Sequence, residues 1–184
     1  PYTTLFRSAN AMYANQVDLP YGIWSVGGGW QDSAFYESVS PEVYEYTFVQ
    51  EDWDMSGVQN KEWIKEVAQQ CKDTYGYEMS SFFAQGWTAA YVAYYALESA
   101  GTTDAEALRD AIANLNIQNS DEERALLSGY SAIVFDEKGQ NTFGGGPTGG
   151  TIVQYQNSEP VALYPAEHSS GGTAVLPIPA FSER

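Results

Sequence analysis

The chain contains one cysteine, one histidine and eight lysines and arginines among 184 residues. With Cys71 alone, no intrachain disulfide can form. It falls on the apolar stripe of an expected helix and reads as a buried, inert thiol. His168 lies in a Ser/Gly-rich tail, so a hydrolytic triad lacks its base. One His and one Cys also make no metal-ligand set, and no metal is expected. Eight scattered cations cannot form the basic stripe that neutralises phosphates, which excludes nucleic acid as a partner. Anionic membrane surfaces are disfavoured for the same reason. No apolar run approaches the roughly 18 residues that a membrane span needs.

Phosphate-binding motifs are missing too. No G-x-x-x-x-G-K-[ST] occurs anywhere in the sequence. Gly27-Gly28-Gly29 follows an expected strand, but G-x-G-x-x-G is not completed, and the Asp32 carboxylate would repel a pyrophosphate. Glu51, Asp52 and Asp54 could in principle serve a glycosidase; they read as a solvated linker. No cofactor is expected, and no enzyme.

What remains is a chain equipped to fold. Aromatic residues make up 15% of it and charged residues only 17%, below the roughly 25% of typical soluble domains. That composition belongs to a packed core and not to a charge-rich disordered tail. The formal charge of −16 reads as solubility.

The first eight residues, Pro1 to Ser8, resemble a translated sequencing-adaptor tail and are expected to be a non-native extension. Residues 9–19 read as the end of a helix closed by Leu19-Pro20. Tyr21–Val26 suits a buried parallel strand running into the Gly turn, and Asp32 or Ser33 can cap a short helix through Val39. Glu42–Gln50, rich in Val, Tyr, Thr and Phe, reads as a second strand. Strand, Gly turn, helix and strand make a βαβ unit, so the fold class is α/β.

Three helices follow. Ile64, Val67, Ala68, Cys71 and Tyr75 form one stripe of a helix ending at Gly76. A second helix spans about Ser81 to Ala100 and stops at Gly101. Thr103 and Glu106 form a capping box for a third. A strand at Tyr130–Phe135, a turn at Asp136–Gly139, a connector at Gly144–Gly150 and a hairpin of Thr151–Gln156 with Val161–Tyr164 complete the chain. Three consecutive helices do not fit one βαβ sheet, so the middle is expected to belong to a different lobe from the two ends.

One place carries suitable binding chemistry. In open α/β sheets, ligands gather at the carboxyl ends of the strands. There the Gly loop leads into Trp30, Gln31 and Asp32: an apolar or cation-accepting wall, an amide and an anion. The same residues are also consistent with a core tryptophan and a helix cap.

The stretches "VGGGWQDSAFYESV", "AQGWTAAYVAYYALESAGTTDAEALRDAIANL", "YSAIVFDEKGQN" and "IVQYQNSEPVALYP" occur in an order that resembles the C-terminal half of type I periplasmic solute-binding proteins of ABC importers. The likeness is to the branched-chain amino-acid group and runs from about Ala9 to Phe181. It implies part of a two-lobe periplasmic-binding-protein fold with Rossmann-like lobes. Residues 9–50 and 150–184 would belong to the second lobe, and residues 51–149 to the first.

The resemblance also implies a small amino acid or related amide held between the lobes, delivery to ABC permease subunits, and a periplasmic or extracellular place, with or without a lipid anchor. Asp32 is the nearest match to the carboxylate that takes the ligand ammonium, with Trp30 and Gln31 beside it. Phe83 matches the aromatic ahead of the long helix, and Gln85 is a further candidate. Trp at position 30 and an apparent insertion over Gln118–Leu127 depart from the pattern. A ligand-sensing ectodomain with the same fold is the alternative reading.

Overall fold

The computed structural model describes every residue except 1, 27–29, 31, 32, 52, 54–60, 121, 128–130, 146–149, 165, 167, 168 and 170. In chain order its elements are α1 (Tyr2–Ala14), β1 (Trp24–Val26), α2 (Ser33–Ser38), α3 (Pro41–Tyr44), β2 (Phe48–Glu51), α4 (Glu62–Tyr75), α5 (Ser81–Ala100), α6 (Ala105–Ala113), β3 (Asn116–Gln118), β4 (Ala132–Val134), β5 (Thr151–Gln156) and β6 (Glu159–Tyr164). The chain divides into two compact units, Pro1–Val58 with Thr151–Arg184, and Gln59–Gly150. The class is α/β.

The first unit is built on a mixed sheet of order β1-β2-β5-β6. β1 runs parallel to β2, joined through α2 and α3, while β2, β5 and β6 are antiparallel neighbours. Alternation along the strands sends Val49, Val153 and Tyr155 to one face. They pack there with Trp30, Phe35, Val43, Tyr44 and Ala9. The helix expected to run to Leu19 ends earlier, and residues 15–19 are not helical. The Asn15 side chain bonds the Ala11 carbonyl, Gln16 bonds the Tyr13 carbonyl, and Gln16 takes a positive φ, so α1 stops at Ala14.

The strand expected over Glu42–Gln50 is half helix. Pro41 opens α3, where a missing N–H does no harm, and Tyr46 at φ 62° redirects the chain into β2. The run is β-rich in composition, yet Val43 and Tyr44 reach the core from a helical turn. The late hairpin forms as expected. Asn157 and Ser158 both have positive φ, which suits the twist of a two-residue hairpin turn. The Glu45 carboxylate accepts from both of their N–H groups, at 2.6 and 3.0 Å.

In the second unit, α4 and α5 end at Gly76 and Gly101, each in the left-handed conformation expected of a helix stop. Ser80 caps α5 by accepting from the Phe83 N–H. The cap of α6 is Asp104 and not Thr103: its Oδ1 accepts from the N–H groups of Glu106 and Ala107. β3 and β4 pair antiparallel with Ile117 opposite Ile133. Those two isoleucines join Ala96, Leu115, Ala125 and Leu126 in the core. The stretch expected to be an insertion is thus partly core. Trp87 and Tyr95 of α5 hold it by donating to the Arg124 and Glu123 carbonyls at 3.1 and 3.0 Å.

Candidate functional site

The candidate residues fall in both units. In the first, Gln31 and Asp32 lie outside the described residues, and Trp30 just before them is 4% exposed. Its ring sits 4.3 Å from that of Phe35, centroid to centroid, within the apolar cluster. Trp30 is therefore part of the core of the first unit.

Tyr36, on the last turn of α2, was not singled out by the sequence. Its hydroxyl donates back to the Trp30 carbonyl. Its ring stacks on Tyr155 at 4.4 Å and meets Phe35 and Tyr44 edge-on at 5.1 and 4.9 Å. Burial pushes the Tyr36 hydroxyl far above the ordinary phenol range, and Tyr155 and the Glu51 carboxylate push it the same way. The group therefore stays protonated and serves as a donor.

Glu51, expected from the sequence in a solvated linker, is instead buried at the end of a strand. It closes β2 in register with Thr151, and both are buried, with Glu51 6% exposed. Alternation along β2 puts Glu51 on the same face as Val49. That alternation was the one signal able to separate Glu51 from the Asp52 and Asp54 that follow it.

In the second unit, Phe83 and Gln85 lie on the first turns of α5 but, two residues apart, on different faces of the helix, Phe83 half-buried and Gln85 exposed. Phe83 lines an open depression of about 150 Å³ with Val67, Gln70, Cys71, Thr74, Tyr75 and Trp87. The wall is of mixed polarity, with an amide and a hydroxyl available for hydrogen bonds. Cys71 is 2% exposed, and burial, followed by the Glu78 charge, raises its thiol pKa. Among the described residues, no group of three or more His, Cys, Asp and Glu is placed to hold a metal ion. None of the described helices is long and apolar enough to cross a membrane.

The mixed sheet of the first unit and the largely helical second unit share their fold with type I periplasmic binding proteins. The sequence resemblance to the branched-chain amino-acid group is matched by solved structures. A leucine-binding protein, LivK, from Thermotoga maritima superposes with a TM-score of 0.64 at 19% identity, over 86% of this chain and 41% of its own. LivJ of Streptococcus pneumoniae, a branched-chain amino acid transporter substrate-binding protein solved with isoleucine, gives 0.61 at 14% identity, over 88% and 42%. A solute-binding protein of an ABC transporter from R. palustris, solved with benzoate, gives 0.52 at 13% identity, over 92% and 48%. The chain spans less than half the length of each. No protein-family model matches it, and no curated protein matches it by sequence.

Proposed function

We propose that the chain is part of the extracytoplasmic solute-binding component of an ABC importer, a receptor without catalytic activity that binds a small amino acid or related amide. On this reading residues 9–50 and 150–184 belong to one lobe and residues 51–149 to the other, with the solute held between them. Delivery would be to the permease subunits of the importer. The observation that carries the reading is the structural likeness to a leucine-binding protein and to a transporter protein holding isoleucine. Asp32 and Gln31, with Trp30 beside them in the sequence, would take the ammonium or amide of the solute. Phe83 and Gln85 would face its side chain.

Closure then follows from differential affinity: a solute touching both lobes favours the closed form. Calorimetric titration of the intact protein with L-leucine, L-isoleucine, L-leucinamide and benzoate tests the reading. An amine-bearing solute should bind, and Asp32→Ala should weaken it by about 2–5 kcal/mol if the charge pair is buried. Unchanged affinity in that variant removes Asp32 from the site.

A further inference from the structure

The four-stranded sheet of the first unit ends in β1 on one side and β6 on the other, and the two edges are built differently. Tyr155 of β5 faces β2: its N–H donates to the Thr47 carbonyl, and its own carbonyl accepts from the Tyr46 N–H. Its opposite number on β6, Pro160, therefore turns its backbone to the outer side, where a proline offers no donor. Ala162, two residues on, faces outward as well, and the Ser169 hydroxyl donates to its carbonyl at 3.1 Å. That edge is short of donors and partly covered by the chain itself, and both features discourage further pairing.

β1 has no such guard. The run Tyr21–Val26 contains no proline and no charged residue. Ile23 turns towards β2, because its carbonyl accepts the Phe48 N–H at 2.9 Å. In the parallel register that sets Trp24 beside Phe48, Ser25 does the same. Alternation then directs the N–H and C=O groups of Trp24 and Val26 away from β2, to a side where no strand pairs with them among the described residues. The Trp24 indole lies flat on the Phe48 ring, centroids 4.1 Å apart, and donates to the Tyr21 carbonyl at 2.9 Å. Even so, Trp24 is 62% exposed and Tyr21 is 74% exposed. An ordered tryptophan left in water beside outward backbone groups marks an unfinished surface.

We propose that the sheet continues past β1: a further strand of the same polypeptide, from the part of the fold outside residues 1–184, pairs with Trp24–Val26 and covers this edge. The chemistry of the surface selects a strand, because extended backbone is what meets alternating N–H and C=O groups. Length supplies the source, since the chain spans less than half of each solved structure that shares its fold. The proposed strand depends on that shared fold alone and not on the identity of the solute.

Amide hydrogen exchange in the intact protein, followed residue by residue by NMR, tests the edge. The Ser25 N–H, directed at β2, is the internal reference. With a strand in place, the Trp24 and Val26 N–H groups should exchange about a hundredfold or more slower than unstructured amides, and within about tenfold of Ser25. At a bare edge the protection alternates, with Ser25 slow and both neighbours fast, and that pattern overturns the proposal.

Light scattering on the same sample identifies where a pairing strand comes from. Protection in a monomer supports a strand of the same chain. Protection that disappears as a dimer dissociates on dilution assigns the edge to a second copy and overturns the proposal. An intact polypeptide that mass spectrometry finds no longer than residues 1–184 overturns it too. Solute titration is a separate measurement, so a bare edge leaves the solute reading standing, and absence of solute binding leaves the strand standing.

Discussion

Two residues show how burial fixes what a side chain can do. Gln154 is fully buried at the centre of the sheet. Its amide donates to the Tyr46 and Val175 carbonyls at 3.3 and 3.2 Å, and its oxygen accepts from the Val175 N–H and the Gln156 side chain, both at 2.8 Å. A buried polar group left unpaired costs about 1–3 kcal/mol, so Gln154→Leu, which orphans several, should destabilise by about 2–4 kcal/mol. Denaturant midpoints measure this, and a shift equivalent to less than about 0.5 kcal/mol would mean that water replaces the amide. Cys71 is the second case. Folding raises its pKa, so the folded state holds the proton more tightly than the unfolded one. Its contribution to stability is complete below the ordinary thiol range and is lost as pH climbs through that range and past it. Native protein should therefore react slowly with a thiol reagent at neutral pH and completely in denaturant, whereas rapid native labelling would contradict the burial.

Among the elements, helix ends separate what the sequence discloses from what it hides. The stops at Gly76 and Gly101 are legible because only glycine enters the left-handed region freely. The start of α6 is not. Thr103 and Asp104 are adjacent and both can cap, and the choice depends on which oxygen reaches the first turn. Asp104→Ala should cost about 1 kcal/mol and Thr103→Ala only a few tenths; the reverse order would restore Thr103 as the cap. Ser158 sits at φ 66° in the hairpin turn. Ser158→Gly should therefore raise stability by about 0.5–1 kcal/mol, with the Glu45 contacts kept because they are made to backbone N–H groups. The helical turn at Pro41–Tyr44 was hidden by a composition that favours strand, because burial against Tyr36 and Tyr155 decides its conformation. The same holds for the candidate site residues. Trp30, Gln31 and Asp32 stand out by residue type, but Tyr36 does not, since its contact with the Trp30 carbonyl exists only once α2 has formed.

For the whole molecule the dominant quantity is charge. A formal charge of −16 spread over 184 residues repels itself, and exposed ion pairs such as Lys65–Glu62 and Arg109–Asp110 offset little of it. Raising ionic strength from about 10 mM to about 150 mM shortens the Debye length from roughly 30 to 8 Å. The melting temperature should rise over that interval; a fall would show that local ion pairs outweigh the net repulsion. The sheet of the first unit sets a different kind of limit. β2 and β5 are neighbours, and Gln154 bonds the Tyr46 carbonyl across 108 positions of the chain. A polypeptide emerges from the ribosome in order, at about 5–20 residues per second. The strand that completes the sheet thus arrives seconds after the one it must pair with. Until then β2 has β1 on one side and an open edge on the other, a template for unwanted pairing. Residues 59–150 meanwhile emerge in full, so the segment between the two strands can be complete before the sheet that brackets it is closed.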